Sequence, residues 1–299
     1  MPATLIAQAP PARAPGPLGR RLRLGIADHP LLAVVVLTYA STWAVLVPIA
    51  LESHGWFAFS VPAAAVVAAA WGPAVAALIV AAAAGGGHGV RAYANQLLRW
   101  RVHPGWYIVA LLGPAAYLLA GVGLARLLGS STSPLPAEGY PPLRVGLGFL
   151  ATLLVATLIN TEEFAWRGVA LPALQRRHQA LGASLILGGI HTLWHLPYFV
   201  TAGRPFYEQV GFPLFAAWTV ALTIILTWIY NSTQGSLLLA VLFHAGQFAW
   251  QQLLSPPEIA PFFISVALLW AVALSVLAWN GPRDLARRPR ETANALLRT

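Results

Sequence analysis

Long apolar runs separated by short polar segments organise this chain. The runs Leu31–Leu51, Phe57–Ala84, Trp106–Leu128, Leu143 to about Arg176, Ala183–Val200, Phe212–Tyr230, Ser236–Leu253 and Pro261–Trp279 each approach the roughly 20 residues a helix needs to cross a bilayer. The pattern predicts an all-α fold, a polytopic membrane helix bundle of about eight transmembrane helices. The second run is interrupted by "WGP" at Trp71–Pro73; we count it as one kinked span, two half-helices being the alternative.

Composition agrees with the pattern. Of 299 residues, 58% are hydrophobic and 9% charged, whereas a soluble domain of this size carries about a quarter charged residues. The absence of cysteine excludes disulfides and thiolate chemistry. The net charge of +9 comes from arginine, with no lysine in the chain. Its placement argues for membrane topology and against a nucleic-acid partner. Arg13, Arg20, Arg21 and Arg23 precede the first run, Arg91, Arg99 and Arg101 lie in the 88–104 loop, Arg176 and Arg177 follow the fourth run, and Arg283, Arg287, Arg288, Arg290 and Arg298 follow the last. Alternating the spans puts all of these on one side, which the positive-inside rule makes cytoplasmic. The expectation is a multi-pass protein of the cell membrane with both termini cytoplasmic and the lipid bilayer as its partner.

Residues 1–27, rich in Pro, Ala and Arg, are expected to form a disordered basic cytoplasmic arm, 28–282 a single transmembrane domain and 283–299 a basic cytoplasmic tail. Basic residues before an apolar run also describe a signal peptide. Here the run is long for a cleaved one and further spans follow, so it is read as retained. The segment 130–142 is a Pro/Ser-rich loop, and no internal repeat is evident.

Seven of the nine acids fall in loops or tails; Glu162 and Glu163, in "TEEFAWRG", lie within a span. An ion kept inside hydrocarbon needs a partner and usually has a task. Glu163 and Arg167 are four residues apart and face the same way, close enough to pair. Glu162 points about 100° away and is left for another partner. His191 and His195 share a face of the next helix. If the fourth and fifth helices form a hairpin turning near His178, Glu162 and His195 lie at the same depth, about 20–25 Å from the turn. His244, about 13 Å into its own span, reaches the same polar cavity if that cavity opens to the cytoplasm. A carboxylate and an imidazole converging on one water make a general-base pair, and a second imidazole serves an oxyanion. The same set, Glu162, His195 and His244, is also a zinc donor set. There is no HExxH and no GxSxG elbow.

Three stretches then carry a family resemblance. "TEEFAWRGVALPALQRR" resembles the EExxxR motif of the CAAX prenyl protease type II and bacteriocin-processing (CPBP, Abi) family of intramembrane proteases. "HTLWHLPYF" is similar to its FxxxH motif, with His195 as the motif histidine, and "TWIYNSTQGSLLLAVLFHAGQF" to its third, with His244. The resemblance runs over about Leu143–Trp250. It implies an eight-helix membrane fold with a conical cavity, Glu162 and His195 as activators of the attacking water, His244 as oxyanion stabiliser, and Glu163 and Arg167 as shapers of the site. Two departures stand out: His191 replaces the family's Phe, and Phe248 stands where the third motif has Asn, with Gln247 beside it.

The expected function is an intramembrane endopeptidase that hydrolyses a peptide bond of a membrane-associated protein or peptide with Glu/His-activated water. No cofactor is expected, because Glu162, His195 and His244 have poorly matched depths as zinc ligands; the zinc-dependent version of the same protease is the alternative. A non-catalytic transporter or immunity-type protein using the buried Glu/His/Arg set is the rival from another class. His191, Gln247, Glu163 and Arg167 are expected as substrate-binding or structural support.

Overall fold

The computed structural model describes residues 17–56, 58, 60–130, 142–254 and 259–289, and all regular structure among them is helical. The elements are α1 (Pro17–Asp28), α2 (Pro30–Ser53), α3 (Ala63–Ala70), α4 (Gly72–Leu97), α5 (Gly105–Leu127), α6 (Pro142–Ile159), α7 (Glu162–Ala165), a π-helical turn (Trp166–Ala170), α8 (Leu171–Gln175), α9 (Ala180–Trp194), α10 (Leu196–Phe199), α11 (Pro205–Ser232), α12 (Leu237–Leu253) and α13 (Ile259–Asn280). Proline opens many of them, in the first turn of α2, α4, α8, α10 and α11. There its missing N–H costs nothing and its fixed φ already suits a helix.

Among the described residues, five helices are long and apolar enough to cross a membrane: α2, α4, α5, α11 and α13. A sixth span arises if α6 and the run Glu162–Gln175, bent by 42°, count together. The protein is therefore a multi-pass membrane protein, but the expected eight spans are not all of full length. The shortfall lies in α9 and α12, with 15 and 17 residues, the two helices that carry the histidines. α9 stops at His195 because Pro197 removes a backbone donor just beyond it. The second apolar run divides differently from expectation. α3 ends at Trp71, and α4 starts there and continues to Leu97, past the Ala84 boundary. Gly86 breaks α4 internally at φ 56°, ψ −139°, a conformation open to glycine and strained for other residues.

Residues 17–27 of the stretch expected to be disordered lie in α1, whose Arg23 donates Nε–H to the Ala83 carbonyl of α4 at 3.2 Å. Leucine and arginine are good helix formers, and this anchor to α4 is invisible to a composition count. Residues 1–16, most of the 130–142 loop and residues 290–299 lie outside the described residues.

Hydrogen bonds gather the arginine-bearing loops at one end of the bundle. Ala180 and Leu181 donate backbone N–H to Arg283 and Pro282 carbonyls at 2.8 and 3.0 Å. Asn231 donates to the Asp284 carbonyl at 2.7 Å, Gln175 to Asn231 Oδ1 at 3.3 Å, and Ser236 to the Arg99 carbonyl at 2.7 Å. At the other end, Ala202 N–H donates to Ser53 Oγ at 3.0 Å and His54 Nε2 meets the Val200 carbonyl at 2.8 Å.

Two helix interruptions meet inside the bundle. The Thr161 hydroxyl, at the break between α6 and α7, donates to the Ala70 carbonyl at 2.6 Å and accepts from Ala74 N–H at 3.3 Å, across the break between α3 and α4. Backbone groups freed by a break are costly in an apolar interior unless something answers them. Thr161, itself at the break between α6 and α7, answers the break between α3 and α4, and the next two residues are the glutamates.

Candidate active site

The break at Asn160–Thr161 makes Glu162 and Glu163 the first residues of the helical run that continues to Gln175. A helix start has unpaired N–H groups and a positive dipole end, which favours carboxylates. An unbroken fourth helix, as the apolar pattern suggests, would deny them that support. The run then passes through the π-helical turn Trp166–Ala170, whose residues are all buried. Such turns re-aim side chains and concentrate at functional sites. Gly168 lets it pack: a Cβ there would sit 2.7 Å from Tyr93 Cε2. Tyr93 in turn donates to the Phe164 carbonyl at 2.9 Å.

The two glutamates have different partners. Glu163 is fully buried; Arg167 Nη1 donates to its Oε1 at 2.9 Å and lies 2.9 Å from its Oε2. His244 Nδ1 donates to the same Oε1 at 2.8 Å. The i,i+4 pairing expected from the sequence is therefore present, with an imidazole from α12 added to it. Glu162 keeps 16% of its side chain exposed, and its Oε2 accepts from His191 Nε2 at 2.6 Å.

His195, at the end of α9, is partly buried and donates Nδ1–H to the His191 carbonyl at 3.2 Å. With Nδ1 protonated for that bond, a neutral ring presents the Nε2 lone pair. Ligand atoms of Glu162, His191 and His195 all lie within 4.8 Å of one another. His244 is outside this group, although its ring centroid is 6.4 Å from that of His191. The group with metal-binding spacing thus contains His191 in place of the His244 expected from sequence. His244 turns to Glu163 because that carboxylate projects toward α12, while Glu162 projects toward α9.

Aromatic rings enclose the imidazoles. Trp166 lies 5.6 Å from His191 and Trp194 lies 4.8 Å from His195, edge to face. Phe215 and Tyr198 flank His195 at 4.9 and 5.8 Å. α9 is held in place from α2, where Trp43 Nε1 donates to the Trp194 carbonyl at 2.9 Å and the Tyr39 hydroxyl donates to that of Ile190. Gln247 is buried, with Oε1 lacking a partner, whereas Phe248 is 48% exposed. No hydrogen bond ties Gln247 to the other site residues among the described residues.

The charged residues singled out from the sequence therefore lie together in the structure. Sequence reasoning missed Thr161, Tyr93 and Gly168, which position the glutamates without taking part in the cluster. The polar Asn-Thr pair inside an apolar run and the glycine after Arg167 were the available signals.

Comparison with known proteins agrees with the motif reading. Residues 142–250 match the model of a family described as Type II CAAX prenyl endopeptidase Rce1-like. The chain is also 29% identical over 180 residues to CAAX prenyl protease 2 of Methanococcus maripaludis, a match covering 58% of this chain and 65% of that protein. The family match thus spans every residue of the cluster and both carboxylates, from the start of α6 to near the end of α12.

Proposed function

We propose that this protein is an intramembrane endopeptidase that hydrolyses a peptide bond of a membrane-associated protein or peptide. The observation that carries the reading is Glu162. It is a carboxylate without a guanidinium of its own, hydrogen-bonded to one imidazole and within 4.8 Å of a second, partly exposed inside an apolar bundle. In this reading Glu162 takes a proton from a water held between it and the Nε2 lone pair of His195. The hydroxide attacks the substrate carbonyl, and Glu162 returns the proton to the leaving amine. His244, with both ring nitrogens protonated, donates from Nε2 to the oxyanion while Glu163 holds its Nδ1 side. The arginine-bearing end faces the cytoplasm.

The test is cleavage of a membrane-anchored reporter peptide by protein reconstituted in vesicles. Glu162→Gln and His195→Ala are each expected to lose about 10²-fold or more. Folded, inserted variants that cleave as fast as the parent would overturn the proposal. Comparing the proteomes of membranes holding parent or Glu162→Gln protein would then identify natural substrates.

A further inference from the structure

We propose that α1 lies in the headgroup layer of the bilayer and binds anionic phospholipid through Arg20, Arg21 and Leu24. This goes beyond the hydrolytic reading and does not depend on it, because lipid binding is measurable without turnover.

The position of α1 comes first. It has 12 residues, about 18 Å of helix, too short to cross a bilayer. His29 alone separates it from α2, which is long and apolar enough to span, so α1 sits where that span enters the membrane. One side of α1 is committed to the protein. Ile26 packs against the core. Arg23, three residues earlier on the same side, donates Nε–H to the Ala83 carbonyl at 3.2 Å, three residues before the break in α4 at Gly86. These two contacts fix the rotation of α1 about its axis.

The opposite side is left open. Leu24 shares it with Arg20, four residues before, and Arg21, three residues before. All three are exposed, Leu24 at 52%. A leucine held open between two arginines suits the boundary between hydrocarbon and phosphate. Leu24 enters the acyl layer, while the arginine stems lie along apolar surface and their guanidiniums reach out to the headgroups. There the planar fork of N–H donors matches phosphate oxygens in pairs.

Charge selects the lipid. Neither Arg20 nor Arg21 has an ion-pair partner among the described residues. Asp28, at the far end of α1, is the first acid in the chain. Residues 1–16 therefore bring no carboxylate to this face and add Arg13 to its charge. Arginines beside a span are drawn to an anionic leaflet, whereas a zwitterionic one offers them no net charge. Arg287 and Arg288, in the tail after α13, are also exposed, but the apolar residues before them, Leu285 and Ala286, are buried. That pair has the charge of the α1 face without its point of insertion.

The experiment is hydrogen exchange of the full-length protein in lipid nanodiscs of phosphatidylcholine, with or without phosphatidylglycerol. Amides of residues 20–28 are expected to exchange about 30-fold more slowly when phosphatidylglycerol is present, and added salt should reduce the effect. Arg20→Gln combined with Arg21→Gln should abolish the difference between the lipids. Leu24→Gln, which keeps both charges, should lessen protection in either lipid. Arg287→Gln combined with Arg288→Gln should leave the difference intact. Exchange in α11 on the same samples reports that the bundle is folded. Equal protection of α1 in the two lipids overturns the proposal. So does equal sensitivity to the two arginine pairs, which assigns the effect to diffuse charge. Protection reproduced in phosphatidylcholine discs by inorganic phosphate or a short RNA overturns it as well, because the ligand is then a soluble anion.

Discussion

Glu162 and Glu163 are neighbours on one helix with opposite circumstances. Glu163 has no solvent exposure, an arginine one turn away and an imidazole from α12 on the same oxygen. Glu162, rotated by about 100°, has an imidazole partner, a second nearby and a partly open side. The difference teaches how a membrane protein can keep a chemically available acid below its surface. One carboxylate neutralises the cation and fixes the helix, and the second inherits a site with oriented imidazoles and no charge lock. In the proposed reading, adjacent residues divide structure from chemistry.

The largest effect expected in breaking this contrast falls on the Glu163 side. Glu163→Gln leaves the Arg167 guanidinium buried without its counter-charge, which costs about 3–5 kcal/mol. The folded yield and thermal unfolding temperature in detergent should drop sharply, whereas Glu162→Gln should leave both near parent values. A Glu162→Gln protein that unfolds as readily as Glu163→Gln would erase the division. Next in size, Glu162→Gln should reduce reporter cleavage about 10²-fold or more with the protein still inserted. Replacing the locked pair together, Glu163→Leu with Arg167→Met, sharpens the contrast further. Removing both charges should recover much of the stability lost by Glu163→Gln, while His244 loses its anchor and cleavage stays low.

Smaller effects concern the helix that presents both acids. Gly168→Ala puts a Cβ against the Tyr93 ring and should cost about 1–3 kcal/mol through overpacking, read as a lower unfolding temperature. Thr161→Val removes two hydrogen bonds between the interruptions. Each is worth about 1 kcal/mol, and activity should fall together with stability.

Much of this was legible in the sequence because it rests on periodicity. The i,i+4 spacing of Glu163 and Arg167 gives their pair, and the hairpin around His178 gives the shared depth of Glu162 and α9. The sequence did not disclose which histidine each acid takes, since that depends on rotation about two helix axes and on a π turn with no sequence signature. For the same reason His191 was read as support, and His244 rather than His191 as the third donor of the zinc alternative, whereas α9 turns His191 to Glu162 and His244 meets Glu163. The fold class was legible, but the count of eight spans is not confirmed where helices stop inside an apolar run, at Trp71, Thr161 and His195. Hydropathy averages across such stops, while backbone hydrogen bonding does not.

Thr161 has a mechanical consequence. One hydroxyl bridges the gap between α3 and α4 and stands at the elbow between α6 and α7, so the two joints flex as a single linkage. A swing of α3 about Trp71 is therefore expected to be felt, through that oxygen, at the residue preceding Glu162.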